Sequence, residues 1–251
     1  MQTPVSNQND IENKNAELLE KALATLAFDE GERLRNLSLF LRQKDLAHIL
    51  FMDEIYRKIL NVPGYIAEFG VMWGRNLNLF QSLRETHEPY NHTRHILGFD
   101  TFSGFIGTME KDQGTGDEGL YQAGAYGVPD GYYQRLHELL ESQESISHLS
   151  HIKRFNLIEG DVTTTLPDYL EENPHAFFSL CYLDLDLYEP TKAVLQALKD
   201  RMVKGSILVF DEALNAAHPG ETEAIMEVFG LPNMDLRRSP VSGWKTFWTI
   251  S

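Results

Sequence analysis

The sequence predicts an α/β domain: a mainly parallel sheet with helices on both faces and a terminal antiparallel hairpin. Three observations carry this. Strand-sized apolar runs alternate with helical patterns from Tyr65 onward. Successive runs are closed by turns that bear an acid: Asp100, Asp161, Asp184, and Asp211 with Glu212. The chain has 251 residues, enough for one large core and too few for two of that size.

The elements follow in order. Residues 1–15, rich in Asn and Gln, read as a disordered tail. Residues 16–62 read as a helical region, with Leu46, Ile49, Leu50, Ile55 and Ile59 at helical spacing. Asn61-Val-Pro-Gly64 breaks it, and the main domain is expected over 63–251. Tyr65–Phe69 is the first strand and Asn76–Glu85 a helix. His95–Phe99, Phe155–Ile158 and Phe177–Leu183 are further strands. Pro190–Met202 reads as a helix, Ser206–Phe210 as a strand and Glu221–Phe229 as a helix. Met234–Arg238 and Lys245–Ile250 form the hairpin. The stretch from Thr101 to Lys153 is too long for an ordinary connection, so 104–150 reads as a lid-like insertion. Its second part, Tyr132–Ser145, is helical in pattern.

Composition narrows the partners. The formal net charge is −15, which repels nucleic acid and anionic membrane surfaces. No apolar run approaches a membrane span, and the first residues hold no apolar signal core. A cytoplasmic protein with a small-molecule partner is expected. A homo-oligomer is compatible with the N-terminal helical region and the insertion, either of which offers subunit contacts. The single cysteine, Cys181, sits in an apolar run and reads as a buried small hydrophobe.

The acids carry the chemistry. In an open parallel sheet, ligands bind outside the C-terminal strand ends. Carboxylates there accept hydrogen bonds from ribose hydroxyls and an adenine amine, or bind a cation. Glu68-Phe-Gly-Val-Met-Trp-Gly74 has the form acid-x-Gly-x-x-x-Gly at a strand-to-helix turn. The dinucleotide fingerprint G-x-G-x-x-G is absent, which disfavours NAD.

Three motifs in succession, Glu68–Gly74, Gly98-Phe-Asp-Thr-Phe-Ser-Gly104 and Gly160-Asp-Val162, resemble the cofactor motifs of class I S-adenosylmethionine-dependent methyltransferases. Leu183-Asp-Leu-Asp-Leu-Tyr-Glu-Pro-Thr191, then Phe210-Asp-Glu212 and Pro219-Gly220, resemble the macrocin O-methyltransferase family, which methylates sugar hydroxyls of natural products. The resemblance spans roughly Tyr65 to Phe229. It implies a Rossmann-like fold and S-adenosylmethionine held by Glu68, Gly70, Gly74, Asp100, Thr101, Phe102, Asp161 and Val162. Asp100 would receive the ribose hydroxyls and Asp161 the adenine amine. The chain departs from the family at Leu185 for Gly, Pro190 for Ser, Glu212 for Asp, and Arg75-Asn76 where a further Gly is common.

Asp184 and Asp211 are separated by one strand–helix–strand crossover, which commonly joins adjacent strands. Asp184, Asp211 and Glu212 would then cluster. Three carboxylates repel one another unless a cation compensates, and all-oxygen ligation suits Mg²⁺. Asp184 is the candidate base. Asp186 would point away if its strand continued through it. His218, in the loop before Pro219-Gly220, is a second candidate for a base or acceptor contact. His87, His92 and His95 read as surface residues. Two other readings stay open: a metal-independent enzyme acting on an amine or carboxylate, and a non-catalytic nucleotide-binding protein with the same fold.

Overall fold

The computed structural model describes residues 10–115 and 121–251, with side chains described from residue 14. The expected tail therefore lies outside the described residues as far as residue 9; from Asp10 the chain is helical. The segment 116–120 of the insertion also lies outside them.

The chain divides into Met1–Ile49 and Leu50–Ser251. The first unit holds α1 (Asp10–Ala24), α2 (Glu30–Arg35) and the start of α3 (Gln43–Lys58). Asp29 caps α2 by accepting the Glu32 N–H at 2.7 Å.

The second unit contains β1 (Tyr65–Phe69), α4 (Arg75–His87), β2 (Ile96–Asp100), α5 (Tyr132–Ser145), β3 (Phe155–Glu159), α6 (Val162–Glu172) and β4 (Phe178–Leu183). It continues through α7 (Tyr188–Leu198), β5 (Met202–Phe210), α8 (Pro219–Val228), β6 (Leu236–Arg238) and β7 (Thr246–Thr249). The seven strands lie in the order β3-β2-β1-β4-β5-β7-β6. The first five are parallel, and β7 runs antiparallel to both β5 and β6. This is the expected Rossmann-like arrangement. Of the helices expected after Tyr65, α7 departs furthest from its bounds: it starts at Tyr188 and ends at Leu198, and Met202 opens β5. Among the described residues, no helix is long and apolar enough to cross a membrane.

The period of two sorts each strand between two cores. Ala67, Phe69, Leu97, Phe99, Cys181 and Leu183 face α6, α7 and α8. Ile66, Ile96, Leu180, Tyr182, Ile207 and Val209 face Phe51 and Ile55 of α3, Leu77 and Phe80 of α4, and Leu136 and Leu140 of α5. Every residue of β4 is buried, as expected of a central strand covered on both sides. Cys181 is fully buried.

Charges tie α5 into this frame. Arg84 on α4 and Arg154 before β3, both fully buried, converge on Glu144 of α5, with Arg154 Nε 3.1 Å from its Oε1. His87 is not a surface residue: its ring nitrogen lies 2.6 Å from the Asp53 carboxylate.

Strand order reverses between β1 and β4, and a crevice opens there at the C-terminal strand ends. Gly70 (φ 90°) terminates β1 at this point. A Cβ at Gly70 would overlap the Asp184 carbonyl oxygen. Glycine is therefore required by the approach of the next parallel strand's own turn.

Candidate active site at the carboxyl ends of the sheet

A cleft of about 570 Å³ lies over the strand ends. One half is built from β1, β2 and β3. Asp100 Oδ2 accepts the N–H groups of Val71 at 2.6 Å and Met72 at 2.8 Å, and its Oδ1 accepts that of Phe102 at 2.6 Å. The carboxylate thus fixes the β1–α4 turn and the chain that follows β2. Both loops carry left-handed residues, Met72 (φ 49°) and Phe102 (φ 55°). Such conformations cost non-glycine residues about 1–2 kcal/mol, and three charge-assisted bonds to one carboxylate hold them. Thr101 donates to the Gly104 carbonyl at 2.7 Å. Asp161 caps α6 through Thr163 N at 2.9 Å.

The other half follows β4 and β5. Asp184, Asp186, Glu212 and His218 all line the cleft. Burial, then the charges of Asp184 and Glu212, push the Asp186 carboxyl well above its ordinary range. Burial also raises Glu212, with Asp184 adding to it. Asp184 is raised by burial, against the opposing charges of Lys245 and Arg75. Behind them, Glu221 is raised by burial and by Asp186 and Asp184, and its Oε1 accepts the Glu212 N–H at 3.1 Å. Burial lowers His218. Its Nδ1 has no hydrogen-bond partner and stands 3.7 Å from Asp186 Oδ1. With Asp186 raised and His218 lowered, the pair favours a neutral imidazole near neutral pH.

The insertion supplies the outer wall. Asp112 Oδ1 accepts the Tyr188 N–H at the start of α7 at 2.6 Å, and Oδ2 accepts the Met109 N–H at 2.7 Å. Thr115 N donates to Ala216 O at 2.9 Å. Tyr121 and Tyr126 bring their rings to 5.7 and 6.4 Å from that of His218. Lys111 sits 3.8 Å over the Tyr188 ring and 3.3 Å from Glu227 of α8. These are latching contacts from a loop onto two helices. Lys111→Ala should speed amide exchange in 104–115 several-fold and leave α5 unchanged, because α5 is held by Arg84 and Arg154 instead. Equal exchange in both proteins would remove the latch.

No protein-family model matches the chain, and no curated protein matches it in sequence. Solved structures do. The chain is similar to CalS11, a calicheamicin methyltransferase, at 42% identity and TM-score 0.91, with 97% of this chain and 94% of that one covered. The apo structure of CalS11, described as a TDP-rhamnose 3'-O-methyltransferase, matches at 40% identity and TM-score 0.84, covering 97% and 96%. This chain belongs to the class I S-adenosylmethionine-dependent methyltransferases. The O-methyltransferase NovP shares the fold at 18% identity and TM-score 0.62, covering 82% and 80%.

In this methyltransferase, Gly70, Asp100, Thr101, Asp161 and Val162, which the sequence marks as candidates to hold the cofactor, line the cleft. Glu68 lies beneath it. Glu68 is 1% exposed, burial pushes its carboxyl well upward, and its Oε2 has no hydrogen-bond partner. Gly74 (φ 77°) precedes α4 and does not line the cleft; a Cβ there would overlap the Leu136 side chain. Phe102 is 7% exposed and packs edge-on to Tyr133 with ring centroids 5.4 Å apart. Asp100→Ala should weaken S-adenosylmethionine binding roughly 5- to 150-fold by calorimetry, through both a lost acceptor and a released turn. Unchanged affinity in a folded variant would remove the assignment.

The expected acid cluster needs correction. Asp211 is 7% exposed and does not line the cleft. Its Oδ1 accepts from both the Tyr182 hydroxyl and the Lys245 ammonium. Asp186 stands with Asp184 and Glu212 instead. The expectation that it points away assumed a continuing strand, but β4 ends at Leu183 and Asp186 adopts φ 60°. Among the described residues, no three His, Cys, Asp or Glu side chains converge as a preformed cation site. The donor set still suits a divalent cation in chemistry: Asp184 and Glu212 raise Asp186, Asp184 raises Glu212, and among the described residues no Lys or Arg lines the cleft. Asp112, Tyr126, Glu221 and Lys245 were not singled out from sequence for this site. Asp112 and Lys245 each meet their partners across tens of residues, which no local pattern signals.

Proposed function

We propose that the enzyme methylates a hydroxyl of a hexose, free in a nucleotide sugar or attached to a natural product, with a divalent cation at the acceptor half. The observation that carries this reading is the division of one cleft. A turn-and-carboxylate cradle for the cofactor faces carboxyls and a neutral histidine across it. The 42% identity to a methyltransferase acting on TDP-rhamnose supports a sugar acceptor.

Bound S-adenosylmethionine supplies an electrophilic methyl sulfonium. The acceptor oxygen forms a bond to the methyl carbon as the carbon–sulfur bond breaks, leaving S-adenosylhomocysteine. Asp184 takes the hydroxyl proton. Its raised pKa makes it a stronger base than an ordinary carboxylate. His218, neutral and with Nδ1 unpartnered, orients a neighbouring hydroxyl. Tyr126, from the insertion, excludes water from the same side. Asp184 and Glu212 would hold Mg²⁺, with Asp211 as a third ligand once released from Lys245. Such an ion lowers the pKa of an oxygen bound to it.

The test uses S-adenosylmethionine labelled in its methyl group with TDP-rhamnose, a catechol and a primary amine as acceptors, each with and without excess chelator. Label on the sugar oxygen, lost with chelator while cofactor affinity stays within about twofold, is the expected result. Full turnover in chelator would strike the metal, and label on the amine alone would strike the hydroxyl acceptor.

A further inference from the structure

Lys245 stands just before β7 and is 4% exposed. Its ammonium donates to Asp211 Oδ1 and to the Tyr182 hydroxyl, and Tyr182 donates to the same oxygen. The contact with the Asp211 carboxylate is a buried ion pair. A buried ammonium is tolerated only where carboxylates compensate it. Conversely, the Asp211 carboxylate, itself 7% exposed, needs positive charge beside it. The acids at the end of the sheet thus already hold a cation, and it belongs to the chain itself.

We propose that Lys245 is a built-in counter-ion of the acid cluster and competes with a divalent cation for Asp211. The competition explains why Asp184, Asp211 and Glu212 do not converge: the Lys245 and Tyr182 donors both draw Asp211 to one side. A divalent ion seated at Asp184 and Glu212 gains its third carboxylate only as the Lys245–Asp211 contact opens. Lys245 is thus a positioning residue, acting through Asp211. The opposite role is a donor that supports an ion-bound carboxylate. The two roles differ in sign, because removing a supporting donor weakens metal affinity, whereas removing a competing positive charge strengthens it.

This inference rests on the metal reading above, and calorimetric titration of Mg²⁺ into the cofactor-free full chain separates the two. Lys245→Gln keeps an N–H donor for Asp211 and removes the charge; Lys245→Met removes both. Both variants should bind Mg²⁺ at least about tenfold more tightly than the wild type. Mg²⁺ should also raise their melting temperature more than it raises that of the wild type. In the unmutated protein, Mg²⁺ should speed acylation of the Lys245 amine, read by mass spectrometry, which needs no variant to fold. Mg²⁺ bound by the wild type with equal or weaker affinity in a folded Lys245→Gln, or with unchanged acylation, overturns the counter-ion and leaves the metal site standing. No Mg²⁺ bound by any of the three proteins overturns both.

Discussion

Asp184→Asn should lower turnover by about 10²–10⁴-fold, the range typical of a removed general base, while S-adenosylmethionine affinity stays within about threefold. Asparagine keeps the shape and removes the charge and the proton acceptor. The side chain lines the part of the cleft proposed for the acceptor, and the turns that would hold the cofactor are fixed by Asp100 and Asp161 instead. Binding and chemistry should therefore separate. Asp186→Asn should cost less, since Asp186 is held well above its ordinary range by burial and by its neighbours and is protonated over more of the pH range. Single-turnover rates with labelled cofactor, beside calorimetric binding, check the pair. Asp184→Asn with full turnover would transfer the base role to another group, with His218 next in line by position.

Arg94→Ala should destabilise the protein by roughly 3–5 kcal/mol, the usual cost of breaking a buried, hydrogen-bonded ion pair by removing one partner. Arg94 is 2% exposed. Its Nη1 donates to the carbonyls of Val62 at 3.0 Å and Gly64 at 2.6 Å and to Ser179 Oγ at 2.6 Å. Its Nη2 donates to the Ile59 carbonyl at 3.1 Å, and its Nε pairs with Glu88 at 2.6 Å. One guanidinium thus satisfies the carbonyls freed where α3 ends and fastens that break to β4. Lysine cannot replace the five-donor fork, so Arg94→Lys should recover little. Burial would raise Glu88, but its bonds to Arg94, Tyr56 and Asn91 outweigh this and hold it below the ordinary carboxylate value. A depressed carboxyl adds stability above its unfolded pKa, and that share is lost as pH falls through the folded value. The variant should accordingly show a smaller loss between neutral and acid pH. Urea unfolding at both pH values measures this, and an unfolding free energy within about 1 kcal/mol of wild type would dismiss the clamp.

Much of the fold was legible because it is written in local periods. Apolar runs of five or six residues closed by Gly or an acid mark β1 through β5, and the helices between them force a parallel sheet. The turns after β1, β2 and β3 were legible for the same reason. Gly70, Asp100 and Asp161 act at the turns where they stand, on neighbours a strand away. The ends of α7 and β5 were misplaced because Met202 suits a helical face and a strand equally well.

The acceptor half was less legible. Strand alternation turns Asp186 away, yet the strand stops at Leu183 and a left-handed residue turns the chain into the cleft. Crossover spacing groups Asp211 with Asp184, yet an ammonium 34 residues later takes its carboxylate. Asp112 reaches α7 across 76 residues. Sequence by itself determined the layered α/β architecture, the acid at each strand end and the glycines at the turns, because those depend on backbone period and local sterics. The tertiary structure alone decided which carboxylate meets an ammonium, which is crowded by other carboxyls and which merely caps a helix. Those outcomes depend on charge and burial at distances of a few ångströms between segments far apart in the chain, where Coulomb energy and desolvation outweigh any local preference.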